Sequence, residues 1–186
     1  LLLTISHRIA EAIDRTRKGD FSMQGLRGFD LKGKVLGVIG TGSIGHCVIR
    51  IAGGFDMEVL AYDIRPDEEF AGEAGFEYVE MDELLGRSDI VTLHVPANPK
   101  TVGLISREEF DRMKDGAVLI NTSRGSVVDT TELLRALTEG KVAWAGIDVL
   151  DEEPTIREEA ELLRSIFRRE HDLETLFADH MLMHLR

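Results

Sequence analysis

The sequence predicts an α/β fold, a doubly wound parallel sheet in three layers with helices on both faces. Two observations carry this. Five apolar runs, 35–39, 59–62, 89–93, 117–120 and 143–147, are short, continuous and rich in Val, Ile and Leu. Strands covered on both faces read this way, whereas half-exposed strands alternate. Helical stretches separate the runs, and strand followed by helix, repeated about six times, builds a doubly wound sheet. A weaker run at Phe76–Val79 supplies the remaining strand.

In chain order, Thr4 to Lys18 predicts an opening helix stopped by Gly19. A Gly-containing connector leads to the first strand at Val35–Ile39, and a helix begins at Ser43. Further helices are marked by caps. Ser106 with Glu109 and Thr155 with Glu158 match the S/T-x-x-E capping box, and Asp129 with Glu132 is a variant. Asp151–Arg186 is charged and without a strand pattern, so 155–186 predicts a helical extension; Glu158–Arg169 mixes both signs, as solvated faces do. The 186 residues predict a single domain with no internal repeat beyond the βα alternation.

Composition narrows the function. Hydrophobic residues at 43% and charged residues at 30% suit a globular domain. The net charge of −12 argues against nucleic-acid partners, whose phosphates it would repel. No apolar run reaches a membrane span. Leu1-Leu2-Leu3 lacks the basic start and cleavage site of a signal peptide and reads as a helix already under way. One cysteine, Cys47, excludes an internal disulfide and fits a reducing, cytoplasmic compartment. Its place on the helix after residue 43 predicts a buried thiol.

Gly40-Thr41-Gly42-Ser43-Ile44-Gly45 joins the first strand to its helix. In such a loop Gly40 permits the tight turn, Gly42 lets backbone approach a pyrophosphate, and Gly45 lets helix and strand pack closely. A pyrophosphate would sit on free N–H groups at the helix N-terminus. The second run, Val59-Leu60-Ala61-Tyr62, ends at Asp63, where a carboxylate can accept from ribose hydroxyls. These features make a dinucleotide-binding, Rossmann-like domain the expectation. Asp63 repels a 2′-phosphate and favours NAD over NADP, and Arg65 softens that preference.

Further motifs are Leu93-His94-Val95-Pro96, Asn121-Thr122-Ser123-Arg124-Gly125-Ser126-Val127-Val128-Asp129, and Gly146-Ile147-Asp148-Val149 followed by Glu153-Pro154. Together with the glycine loop they resemble the cofactor-binding domain of the D-isomer-specific 2-hydroxyacid dehydrogenases, from the opening helix to about Pro154. Details including Glu170–Thr175 resemble most the D-lactate dehydrogenase-like branch. The resemblance implies hydride transfer between NAD and a small D-2-hydroxy or 2-oxo acid. It implies that Arg124 orients the substrate carboxylate, which a planar guanidinium binds bidentately. Glu153 takes the position of the carboxylate that orients and polarises a catalytic histidine. Ser43 and Ile44 are implied at the pyrophosphate, and Val95, Pro96 and Thr101 along the cleft walls. Thr122, Ser123 and Arg124 are implied at the nicotinamide ribose and ring, and Asp148 at the carboxamide. Ala97-Asn98-Pro99-Lys100 departs from the family's commoner leucine-threonine version, which weakens the assignment of Thr101.

The family's catalytic histidine follows a proline after one more strand, and nothing in this chain matches it. His171, His180 and His184 fall on expected helices without that proline. His180 and His184 have i, i+4 spacing, but no third ligand beyond Asp179 is evident, so no metal site is expected. His7 and His46 read as ordinary helix residues and His94 as structural. The family's substrate domain is unmatched at both ends, so the expectation is a truncated middle section that binds cofactor without turnover. The resemblance also implies a homodimer through residues 1–18, with Leu1, Leu2, Leu3, Ile5, Ile9 and Ile13 buried by a partner rather than by the chain's own core. The competing reading is a non-catalytic NAD(H)-sensing domain like the C-terminal-binding transcriptional corepressors, which share the fold. A methyltransferase-type domain is a third reading, opposed by the Asn-Thr-Ser-Arg-Gly and Asp-Val…Glu-Pro segments.

Overall fold

The computed structural model describes residues 1–150. The 155–186 extension, the Thr155–Glu158 box, Glu153 and the last three histidines lie outside the described residues. Helices α1 (Leu2–Ser6) and α2 (Ile9–Arg17) come first, then β1 (Val35–Ile39), α3 (Ser43–Gly54) and β2 (Glu58–Tyr62). They are followed by α4 (Glu68–Ala74), β3 (Glu77–Tyr78), α5 (Met81–Arg87) and β4 (Ile90–Leu93). The remaining elements are α6 (Arg107–Arg112), β5 (Ala117–Asn121), a 3-10 turn (Gly125–Val127), α7 (Thr130–Thr138) and β6 (Val142–Ile147).

The strands form one sheet in the order β3-β2-β1-β4-β5-β6, every pair parallel. This is the doubly wound dinucleotide-binding order. Ile39 pairs with Tyr62 on one side and Leu93 on the other, so the chain reverses its winding direction between β1 and β4. In open α/β sheets ligands bind beyond the strand ends at that point.

Both faces are dry. Leu36 and Val38 of β1 join Ile49, Val59, Ile90 and Ile120 in the core on one face. Ile39 joins Leu60, Leu84, Val91, Leu93 and Leu119 on the other. Burying each such side chain contributes about 1.5–3 kcal/mol. Two-sided burial is why the runs read as continuous rather than alternating. The caps form as the spacing requires. The Asp129 carboxylate accepts from Glu132 N–H at 3.0 Å, and the Glu109 carboxylate accepts from Ser106 N–H at 3.1 Å.

The opening segment departs from expectation, being two helices instead of one. Arg8 adopts a left-handed conformation (φ 53°). The buried Ser6 carbonyl accepts from Phe29 N–H at 2.9 Å, a tertiary bond in place of helix continuation. Gly28 permits that approach, since a Cβ there would overlap the Ser6 carbonyl oxygen. Gly19, at φ 74°, does follow the end of α2. Leu2 and Ile5 pack against the chain's own core, contrary to the expectation that a partner alone buries them. Leu1, Leu3, Ile9 and Ile13 remain 41–50% exposed. Cys47 is also corrected: it lies on the outer face of α3 and is exposed. Among the described residues no helix is long and apolar enough to cross a membrane.

Candidate cofactor and substrate site

The three glycines of the first loop do three different things. Gly40 has φ 94°, and a Cβ on it would press within 2.9 Å of the His94 carbonyl and Val95. A Cβ on Gly45 would overlap the Gly40 carbonyl oxygen, so only glycine seats α3 on the end of β1. A Cβ on Gly42 would meet no heavy atom within 4 Å. It would project into open space at the start of α3, where no side chain caps the helix. Helix-terminal N–H groups without a protein acceptor, beside a gap, fit a bound pyrophosphate.

That gap is a cleft of about 420 Å³. It is lined by Gly42, Ser43 and Ile44 after β1, by His94, Val95, Pro96 and Ala97 after β4, and by Thr122, Ser123 and Arg124 after β5. All ten residues lie beyond the C-terminal ends of β1, β4 and β5, with His94 the first residue past β4 and Thr122 the first past β5. Most of the expected contacts are thus brought together. Thr101 is not: its hydroxyl accepts from Asn98 N–H at 2.9 Å and donates to the Pro96 carbonyl at 2.5 Å, closing its own turn. Asp63 and Asp148 stand beyond the ends of β2 and β6, outside the cleft lining. The Asp148 N–H donates to the Asn121 carbonyl at 3.0 Å, and its side chain is exposed.

Asp63 is held firmly. Oδ2 accepts from Thr41 N–H at 2.7 Å and from the Thr41 hydroxyl at 3.1 Å, and Oδ1 accepts from Arg65 N–H at 2.9 Å. Burial pushes this carboxyl up, but the backbone donors of Thr41, Arg65 and Ile64 with the Thr41 hydroxyl outweigh it and leave it below its ordinary value. It is an anion at neutral pH.

Arg124 is exposed at the cleft mouth, and its guanidinium donates to the Ser123 carbonyl at 2.7 Å. Among the described residues no carboxylate pairs with it. Its remaining donors are therefore available for a bidentate carboxylate contact. The loop that carries it is fixed by Asn121, a residue to which the sequence alone gives no role. Asn121 ends β5, is 1% exposed, and accepts through Oδ1 from Ser123 N–H (3.0 Å) and the Ser123 hydroxyl (2.8 Å). Its Nδ2 donates to the Arg124 carbonyl at 2.9 Å. The available signal was a lone polar residue closing an apolar run, since a buried amide must be fully bonded.

His94, read as structural, lines the cleft. Its Nε2 lies 3.0 Å from the Thr92 hydroxyl, and burial pushes the imidazole below its usual value, so the ring is neutral at pH 7. Among the described residues no three His, Cys, Asp or Glu side chains gather to hold a metal.

This arrangement defines a dinucleotide-binding α/β domain with an exposed arginine at the mouth of its cleft. The family model for the D-isomer specific 2-hydroxyacid dehydrogenase NAD binding domain matches residues 1–169, and the chain belongs to that family. It is 46% identical over 153 residues to a 2-hydroxyacid dehydrogenase homolog of Haemophilus influenzae, covering 82% of this chain and 46% of that protein. It is 41% identical over 178 residues to a glyoxylate reductase of Thermococcus litoralis, covering 92% and 54%. A solved D-lactate dehydrogenase from Aquifex aeolicus, complexed with NAD and lactic acid, superposes with a TM-score of 0.78 at 39% identity, covering 94% of this chain and 51% of that one. The chain thus spans about half the length of the relatives it matches. NAD is the cofactor of this domain.

The Asp63 bonds set a pH dependence. Its folded value is depressed, so the unfolded chain binds the extra proton and stability falls with acid. The stability advantage of wild type over Asp63→Asn is expected to be full above about pH 4, the ordinary aspartate range, and to shrink as pH drops below it. Urea midpoints from pH 7 to pH 3 measure this; an advantage that grows in acid would contradict it.

Proposed function

We propose that this chain is the cofactor-binding part of a dehydrogenase that moves a hydride between NAD(H) and a small D-2-hydroxy or 2-oxo acid. The observation that carries the proposal is the Arg124 guanidinium, on a loop that Asn121 fixes and without a carboxylate partner among the described residues, at the mouth of the glycine-loop cleft. Bound NAD(H) supplies or accepts the hydride. Arg124 would grip the acid's carboxylate and stabilise charge on the adjacent carbonyl oxygen. Val95 and Pro96 would give the cleft an apolar wall that limits water beside the reacting carbon. Glu153, by its place in the family motif, would orient the histidine that exchanges the substrate proton.

No histidine in the sequence follows a proline, as the family's catalytic histidine does, and the activity we propose for these 186 residues is cofactor binding without turnover. The names of the relatives, glyoxylate reductase and D-lactate dehydrogenase, favour a two- or three-carbon 2-oxo acid as substrate of the intact protein. One cysteine in the whole chain suits a reducing compartment, and we assign the protein to the cytoplasm.

The exposed Leu3, Ile9 and Ile13 on α1 and α2, with Leu1 before them and Phe21 and Met23 after them at 79% and 85% exposure, supply apolar surface for a second copy. We propose a homodimer through this face. Sedimentation at micromolar protein should give a dimer that Ile9→Glu with Ile13→Glu converts to monomer; a monomeric wild type would refute it.

Binding is tested by titrating NADH and NADPH against the chain's one tryptophan. Trp144 packs on Phe29 (centroids 5.9 Å) with Arg8 over its ring, outside the cleft lining, so the signal is energy transfer to nicotinamide rather than contact quenching. NADH should saturate, NADPH should bind more weakly, and Asp63→Ala should weaken NADH about tenfold or more. Wild type that binds neither nucleotide would overturn the proposal.

A further inference from the structure

The adenosine end of the site carries a chain of hydrogen bonds that the cofactor reading leaves unused. Tyr78 lies on the edge strand β3, two strands from β1. Its ring meets Phe76 edge-on with centroids 5.1 Å apart, and its hydroxyl donates to Thr41 Oγ1 at 2.8 Å. The same Tyr78 oxygen accepts from Asp67 N–H at 3.2 Å. Thr41 Oγ1 in turn donates to Asp63 Oδ2 at 3.1 Å.

Counting donors fixes the direction of every bond. An ionised carboxylate only accepts, so the Thr41 proton points at Asp63. The Thr41 oxygen is then the acceptor for the single Tyr78 proton, and a backbone N–H can only donate to the Tyr78 oxygen. All three bonds run towards the Asp63 charge, and each donor polarises the next. Thr41 is 6% exposed, so water does not compete for its hydroxyl.

We infer that Tyr78 is a positioning residue for the ribose site: through Thr41 it holds the Asp63 carboxylate in the orientation that accepts the adenosine ribose hydroxyls and excludes a 2′-phosphate. This rests on the reading of Asp63 as the ribose ligand given above. The tether joins the loops after β1 and β2 to β3, so the carboxylate cannot swing without breaking a bond in a shielded place. The exposed Arg65, in the same loop, is the group that would attract a 2′-phosphate if the carboxylate moved aside. Loss of the tether should therefore change selectivity as well as affinity.

The experiment is calorimetric titration of the 186-residue chain with NADH, NADPH, ADP-ribose and an ADP-ribose analogue lacking both adenosine ribose hydroxyls. The proteins are wild type, Tyr78→Phe, Thr41→Val, Thr41→Ser and Asp63→Ala. Tyr78→Phe and Thr41→Val should each weaken NADH about tenfold, the scale of one hydrogen bond to a charged group. Both should narrow the preference for NADH over NADPH and leave the hydroxyl-free analogue unchanged, while Thr41→Ser restores wild-type binding. The inference is overturned if Tyr78→Phe binds NADH like wild type, or if it loses NADH and the analogue equally, which a general loss of structure would produce. Wild type that binds no NADH, or Asp63→Ala that binds it unchanged, would remove the ribose assignment itself and the inference with it.

Discussion

The contact between Gly45 and the Gly40 carbonyl is the constraint on which the site depends. It leaves no room for a side chain, and so seats the first turn of α3 directly on the end of β1. Had a Cβ intervened, the helix would stand off from the strand, and its free N–H groups would no longer face the gap beside Gly42. The helix end matters because its uncapped amides and dipole act together on an anion, and both effects fade within a turn. Seating α3 also carries Ile49 and Ala52 into the core that covers β1 and β2. Site and fold therefore share one close contact.

Around that contact the sheet acts as a frame for loops. Because β1 lies between β2 and β4, the loops after all three strands converge, and β5 adds its own from beside β4. Each loop is fixed by a polar residue near a strand end. Thr41 grips Asp63, Thr92 bonds His94, and Asn121 ties Ser123 and Arg124. A loop held by buried hydrogen bonds keeps its functional group in place before a ligand arrives, which lowers the ordering cost of binding.

The strands were legible because two-sided burial leaves a plain signal, an unbroken apolar run bounded by caps and glycines. Asp63 and the glycines were legible because chemistry and position coincide: each follows an apolar run where ligands meet such sheets. The break at Arg8 was not legible, since it is made by Phe29 reaching back to Ser6, a partner twenty-odd residues away that local periodicity does not register. The exposure of Cys47 was missed for a similar reason, as its helix face is decided by how α3 sits on the sheet. Asn121 opens the Asn-Thr-Ser-Arg-Gly segment, yet its role depends on three bonds that exist only once the loop has folded around it. Tyr78 is a stronger case, because its acceptor Thr41 lies far back in the sequence, in the loop after β1, two strands away across the sheet.

The central claim is that the uncapped start of α3 and the loops beside it receive the dinucleotide. Residue-resolved amide hydrogen exchange with and without saturating NADH tests it most directly. The account requires slowed exchange at Ser43, Ile44 and Ser123, with no change at Gly116 and Ala117 at the opposite, N-terminal end of the strands. Slowing confined to that opposite end, with Ser43 and Ile44 unaffected at saturation, would contradict it.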